Sequence, residues 1–256
     1  MLIDAHCHLD HLGQQGASDF LAHLNDFGLD YVVGSAPNAE AWPFYQQLAR
    51  AYNGLKVCYG IHPLEITDQW EIQLEKLRSF LPFCVAVGEI GLDFHGIFSQ
   101  KNIPQIKLQM KVFEKQIRIA QAYNLPIVIH CREAFFAVKE ILQYTHMDMH
   151  RVLFHCFVED LESAKWILSE GGFVSYSGIL TFKKPGYTHA TAEYANLSQI
   201  LIETDSPYLA PSPFRGKINS PQNVRLIAEK LAELKAIPLS QCIQCASENT
   251  RRFFNF

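Results

Sequence analysis

No apolar run in the 256 residues approaches the roughly 20 consecutive positions that a helix needs to cross a bilayer. A membrane-spanning helix is therefore not expected. The opening MLIDAHCHLD has neither the charged nor the apolar region of a secretory signal, so the expected compartment is cytoplasmic. Excess positive charge is also missing: 22 Lys and Arg stand against 26 Asp and Glu, a net charge of −4. That balance excludes a strongly basic surface for sequence-independent nucleic-acid binding, and any phosphate must be held locally. Charged residues are few, at 19% against the usual quarter or so, while hydrophobic residues reach 48%. Such a chain has material for a large core and does not read as disordered. Linkers, low-complexity tracts and long blocks of like charge are absent, so 1–256 is read as one domain. Seven cysteines, an odd number in a chain of this size, fit reduced thiols better than a disulfide framework. Cys242 and Cys245 form a CxxC with no second pair, in a helical stretch, and read as packing residues. No seam or motif for an obligate protein partner stands out.

What the chain does contain is a repeated alternation of short β-branched runs and helical stretches. The runs lie at 2–6, 31–35, 57–61, 85–89, 126–130, 151–155, 172–176 and 200–204. Most are continuously apolar, the pattern of parallel strands buried on both faces. Helices are expected over 17–27, 39–53, 69–81, 105–123, 133–145, 160–170, 221–235 and 239–253. In the fourth, Ile106, Met110, Phe113, Ile117 and Ala120 recur at spacings of three and four, one apolar stripe against a wall. The segment 205–223 is too rich in Pro, Ser and Asn for a helix and reads as a long loop. Eight strand–helix units in about 250 residues predict an α/β fold, a (β/α)8 barrel of the TIM type, with an open doubly wound sheet as the alternative.

In such a barrel the strand ends converge on the C-terminal face, where active sites are built. Here those ends carry His6 and His8, Glu89, His130, His155 and Asp205. His6 and His8 are two apart on an extended segment, so both imidazoles face one side while Cys7 faces the other. One such histidine is most often a buried, hydrogen-bonded core residue. Four with two carboxylates on one face would form a costly polar cluster unless something binds there. The set divides into two divalent-ion sites: His6, His8 and Asp205 on one, His130 and His155 on the other, with Glu89 bridging. Imidazole and carboxylate suit zinc, manganese, cobalt and nickel, and magnesium enters through availability and phosphate chemistry. Cys7, Cys131 and Cys156 each follow a ligand candidate but read as small buried apolar residues.

At these positions the chain resembles the TatD family of metal-dependent deoxyribonucleases, an amidohydrolase-like branch. The resemblance runs through DAHCHLD at 4–10, GIHP at 60–63, VGEIGLDF at 87–94, LPIVIHCREA at 125–134, FHCF at 154–157, SGILTFK at 177–183, IETDSPYLAP at 202–211 and RGKIN at 215–219. It implies the barrel, a binuclear centre at the six positions above, and hydrolysis of phosphodiesters by metal-activated water, often as 3′ to 5′ exonuclease action on DNA ends. It implies further that Asp205 holds an ion and accepts a proton from the attacking water while Glu89 bridges. His62 would lie beside the substrate, polarising an oxygen or protonating a leaving group. Arg132 and Arg215 are the candidates for gripping phosphate through a bidentate fork. Lys183, Lys184 and Lys217 read as solvated surface charges. Glu203 is a candidate for orienting a ligand histidine. Val158-Glu159, Leu64 and Glu133 depart from the family pattern, which has a small residue with glycine, histidine and aspartate there. These departures spare every ligand and touch the loops that shape the pocket.

Three functions follow from this reading. The first is a nuclease acting on DNA, with RNA a further substrate. The second uses the same centre on another ester or amide, in a small molecule or an aminoacyl-tRNA. The third is a metal-binding scaffold without catalysis, which a complete ligand set and an intact Asp205 argue against.

Overall fold

The computed structural model describes residues 2–97 and 102–256. Eight strands pair in sequence order, each parallel to the next: β1 Leu2–Cys7, β2 Leu29–Ala36, β3 Leu55–Tyr59, β4 Ala86–Asp93, β5 Ile127–Arg132, β6 Val152–Phe154, β7 Phe173–Tyr176 and β8 Ile200–Ile202. The ring is drawn together past the end of β8, where the Asp205 N–H donates to His6 O at 3.0 Å and the His8 N–H to Ser206 O at 2.7 Å. The result is a nearly closed TIM-type barrel with helices between the strands.

Between and after the strands lie α1 Gly13–Ala22, α2 Trp42–Ala51, α3 Trp70–Leu77, α4 Ile103–Ala122, α5 Phe135–Thr145, α6 Leu161–Ser169, α7 Thr188–Tyr194, α8 Val224–Lys235 and α9 Leu239–Phe254. None of the described helices is long and apolar enough to cross a membrane. Local signals set several starts. The Asp160 carboxylate caps α6 by accepting from Ser163 N at 2.8 Å, and Asn102 caps α4 through Gln105 N at 3.3 Å. The short α7, in a polar stretch without a clear apolar stripe, was not among the expected helices.

Two apolar clusters hold the barrel. The larger joins helix faces to the outward sides of the strands, with Trp42, Tyr45, Phe113 and Ile117 fully buried in it. The smaller takes one residue from every strand: Ala5, Val33, Cys58, Ala86, Val128, Leu153, Phe173 and Leu201. Phe173 opens β7, and Phe253 and Phe254 of α9 pack on it, so this cluster fills the N-terminal end of the barrel. The polar chemistry is thereby confined to the opposite end.

On α4 the buried face holds more than the expected stripe. Phe113, Ile117 and Ala120 are buried, Ile106 and Met110 only partly, and Gln109 and Gln116 lie at 1% exposure among them. Their amides satisfy backbone: Gln116 accepts from Ile61 N at 2.7 Å and donates to Ile61 O at 3.0 Å, and Gln109 accepts from Asp93 N at 3.0 Å.

Candidate metal centre

Glu89 sits in the penultimate turn of β4, 3% exposed, and its two carboxylate oxygens face different neighbours. Oε2 lies 3.4 Å from His6 Nε2 and 3.8 Å from His8 Nε2. Oε1 lies 2.9 Å from His130 Nδ1, 2.7 Å from His155 Nε2 and 3.5 Å from His62 Nε2. On the first side Asp205 Oδ1 completes the group, 3.7 Å from His6 Nε2 and 3.4 Å from His8 Nε2. The two imidazole Nε2 atoms themselves stand 3.4 Å apart.

This donor set fits divalent ions. Nitrogen lone pairs facing each other at that distance, with carboxylate oxygens around them, repel unless a proton or cation lies between. His6, His8 and Asp205 form one group able to hold an ion, and His62, Glu89 and His130 another. His155 and Glu203 add a third with His6. Of these His62 is the poorest ligand: its Nδ1 accepts the Leu64 N–H at 3.1 Å, which leaves the proton of the neutral ring on Nε2. His130 and His155 are the reverse case. Each bonds a buried carboxylate with one ring nitrogen, His130 Nε2 to Asp93 Oδ2 at 3.0 Å and His155 Nδ1 to Glu203 Oε1 at 3.2 Å. The other nitrogen of each is turned to Glu89, the arrangement by which outer carboxylates orient metal-ligating histidines.

The electrostatics reflect this crowding. Burial pushes the Glu89 carboxyl up, but the His155 and His62 rings and the bonds from His130 and His155 hold it well below the ordinary value. Asp205 is likewise lowered, burial being overcome by His8 and the nearby His6 and His155. Burial depresses the histidines, yet Glu89 and Glu203 hold His155 well above its usual range, and Asp93 and Glu89 raise His130. His62 alone goes down, to about 4, because burial dominates there.

A cavity of about 650 Å³ opens over the centre. His8, His62, Glu89, His130, His155 and Asp205 line it, together with Arg132 at the rim. Arg215 is not among the lining residues; its guanidinium stacks 3.6 Å over the Phe182 ring. Cys7 is buried with its thiol toward Val33 O. Cys131 and Cys156 are only half-buried and line the cavity, a departure from the reading of all three as buried packing. Burial still pushes both thiols well up, so they stay protonated. Asp93 went unnoticed as a site residue, although it lies in the VGEIGLDF run four residues after Glu89. Three residues at the mouth, Glu133, Cys156 and Asp205, take left-handed backbone with φ near 50°, and such strain gathers at functional sites.

A family profile described as TatD related DNase matches residues 3–255. The metal-dependent hydrolase YcfH of Escherichia coli strain K12 is 32% identical over 259 aligned residues, covering 99% of this chain and 96% of that one. The metal-dependent hydrolase YabD of Bacillus subtilis strain 168 is 34% identical, covering 99% of each. The crystal structure of YjjV, a TatD homologue from Escherichia coli K12, superposes with a TM-score of 0.89 at 28% identity, over 100% of this chain and 98% of that one. With its barrel, its histidine–carboxylate centre and this full-length match, the chain belongs to the TatD family of metal-dependent hydrolases.

Proposed function

We propose that the chain is a deoxyribonuclease that removes nucleotides from DNA ends, in the 3′ to 5′ direction, with two divalent ions as cofactors. The observation that carries this reading is the Glu89 carboxylate, with one oxygen toward His6 and His8 and the other toward His130 and His155. A carboxylate placed between two nitrogen groups suits a bridged pair of ions, the arrangement used for in-line displacement at phosphorus. His6, His8 and Asp205 would hold one ion, His130 and His155 the other. Bound there, the ions supply Lewis acidity, lowering the pKa of water and neutralising charge on the phosphoester.

The remaining steps fall to side chains. Asp205 is ionised at neutral pH and reaches the cavity, so it is placed to accept the proton of the attacking water. His62 is neutral at that pH and presents Nε2–H inward, which suits a hydrogen bond to a phosphate oxygen better than delivery of a proton. Arg132 at the rim offers a bidentate fork to a phosphate of the substrate.

The test is hydrolysis of 3′-end-labelled single-stranded and duplex DNA with added Mg²⁺ or Mn²⁺, comparing wild type with Asp205→Asn. Stepwise shortening that drops about 10²–10⁴-fold in the variant, with its circular dichroism unchanged, supports the reading. Equal rates in both proteins reject Asp205 as the proton acceptor. The acidic cavity lining favours one second reading, hydrolysis of a small ester or an aminoacyl ester, and intact DNA beside cleavage of such esters would select it.

A further inference from the structure

Tyr208 lies three residues beyond Asp205, lines the cavity, and remains 61% exposed. Its backbone is pinned on both sides. The Tyr208 N–H donates to Asp205 O at 2.9 Å, and the Tyr208 carbonyl accepts from Asn219 Nδ2 at 2.8 Å. The same buried amide holds Thr204 O at 2.9 Å, so the loop carrying the tyrosine is tied to the segment carrying Asp205. The ring meets His8 edge-on, with centroids 5.9 Å apart, and the rest of it faces solvent. A large ring held firmly beside a polar centre, with most of its surface in water, is an unfilled contact surface.

Charge leads to the same place. Among the described lining residues Asp10, Glu65, Glu89, Asp93 and Asp205 are acidic, and Arg132 is the only lysine or arginine. Such a lining repels a run of phosphates beyond the one at the centre. Affinity for the rest of the substrate must then come from uncharged contact. Tyr208, with Leu64 and Val158 also exposed on the cavity wall, supplies an apolar rim for it.

We propose that Tyr208 is a stacking platform for a planar ring of the substrate, the base of the nucleotide whose phosphoester is cleaved. The identity of that ring as a nucleobase rests on the nuclease reading above; the platform itself rests on the geometry of Tyr208. Stacking on an aromatic side chain is tolerant of sequence, because every base has a π-face.

Two measurements on the metal-supplied protein test this, each with wild type, Tyr208→Leu and Tyr208→Phe. The first compares kcat/KM on short single strands ending in a normal 3′ nucleotide with the same strands ending in an abasic residue. The second compares calorimetric Kd for thymidine 5′-monophosphate with that for deoxyribose 5-phosphate. The expected result is a preference for the base that falls about tenfold in Tyr208→Leu and is kept in Tyr208→Phe. DNA cleavage with an unchanged preference in Tyr208→Leu overturns the platform and leaves the nuclease reading intact. No DNA cleavage, with the nucleotide preference still lost in Tyr208→Leu, keeps the platform and removes the nuclease. Absence of any base preference in both measurements overturns the platform outright.

Discussion

Asp93 bonds the far nitrogen of His130 and so decides which ring atom the centre receives. Its carboxylate is 2% exposed, accepts from His130 Nε2 at 3.0 Å, and has its other oxygen occupied by the His95 N–H at 3.0 Å. With both oxygens committed it cannot follow the ring if His130 turns. Removing it in Asp93→Ala frees the imidazole to rotate or to take the other tautomer. Metal affinity on the His130 side should then fall about 10–100-fold, read as metal retained per chain against graded chelator, with an unchanged circular dichroism spectrum. Unaltered retention would reduce Asp93 to a packing residue. His6, His8, Glu89, His130, His155 and Asp205 are legible in the sequence because an apolar strand marks its own end and the side chain there. Asp93 is not, since its partner is 37 residues away and reached only through the β4–β5 register, in which Asp93 stands opposite Arg132. Arg215 shows the reverse failure: a phosphate-gripping residue type is plain in the sequence, but nothing local tells that it stacks on Phe182.

Strand β4 carries Glu89 and Asp93 on one backbone and is pressed against β5, which carries His130. The contact is closest at Gly91, at φ 145°, where an added Cβ would stand 2.0 Å from His130 O. That overlap is with backbone, so no side chain can move aside. Gly91→Ala should therefore separate the two strands, cost about 3 kcal/mol or more, and displace His130 with loss of bound metal. Gly28→Ala is the comparison: it also has positive φ, 72°, but has open space around its Cβ, and about 1 kcal/mol is expected. Equal melting temperatures for the two variants would show that the close approach carries no cost. At this scale the strand positions are well marked in the sequence, because a strand buried on both faces is a continuous apolar run. The helices are less so. The buried glutamines of α4 break the apolar stripe because their value lies in bonds to Ile61 and Asp93, which no helical period encodes.

Across the whole molecule, apolar packing fills one end of the barrel while the other end gathers ionisable groups that oppose burial. Seven strand ends or following loops bring charge or imidazole there, and only bound cations reconcile so many donors in one place. Stability should therefore be linked to metal. An ion that binds only the folded chain at a hundred times its Kd adds about 2.7 kcal/mol, which for a chain of this size raises Tm by roughly 5–10 °C. The gap should also widen with pH. In the metal-free fold His130 and His155 have raised pKa values, so the stability they contribute is fully present below the unfolded value of about 6.5 and is lost as pH climbs through the folded values. Metal uptake displaces those protons, so its affinity strengthens over the same interval. Melting curves at pH 6 and pH 8, with chelator and with added Mn²⁺ or Zn²⁺, should show the larger metal-induced rise at pH 8. A rise that is equal at both values, or larger at pH 6, would mean that His130 and His155 do not surrender protons to the ions and that the ligands lie elsewhere.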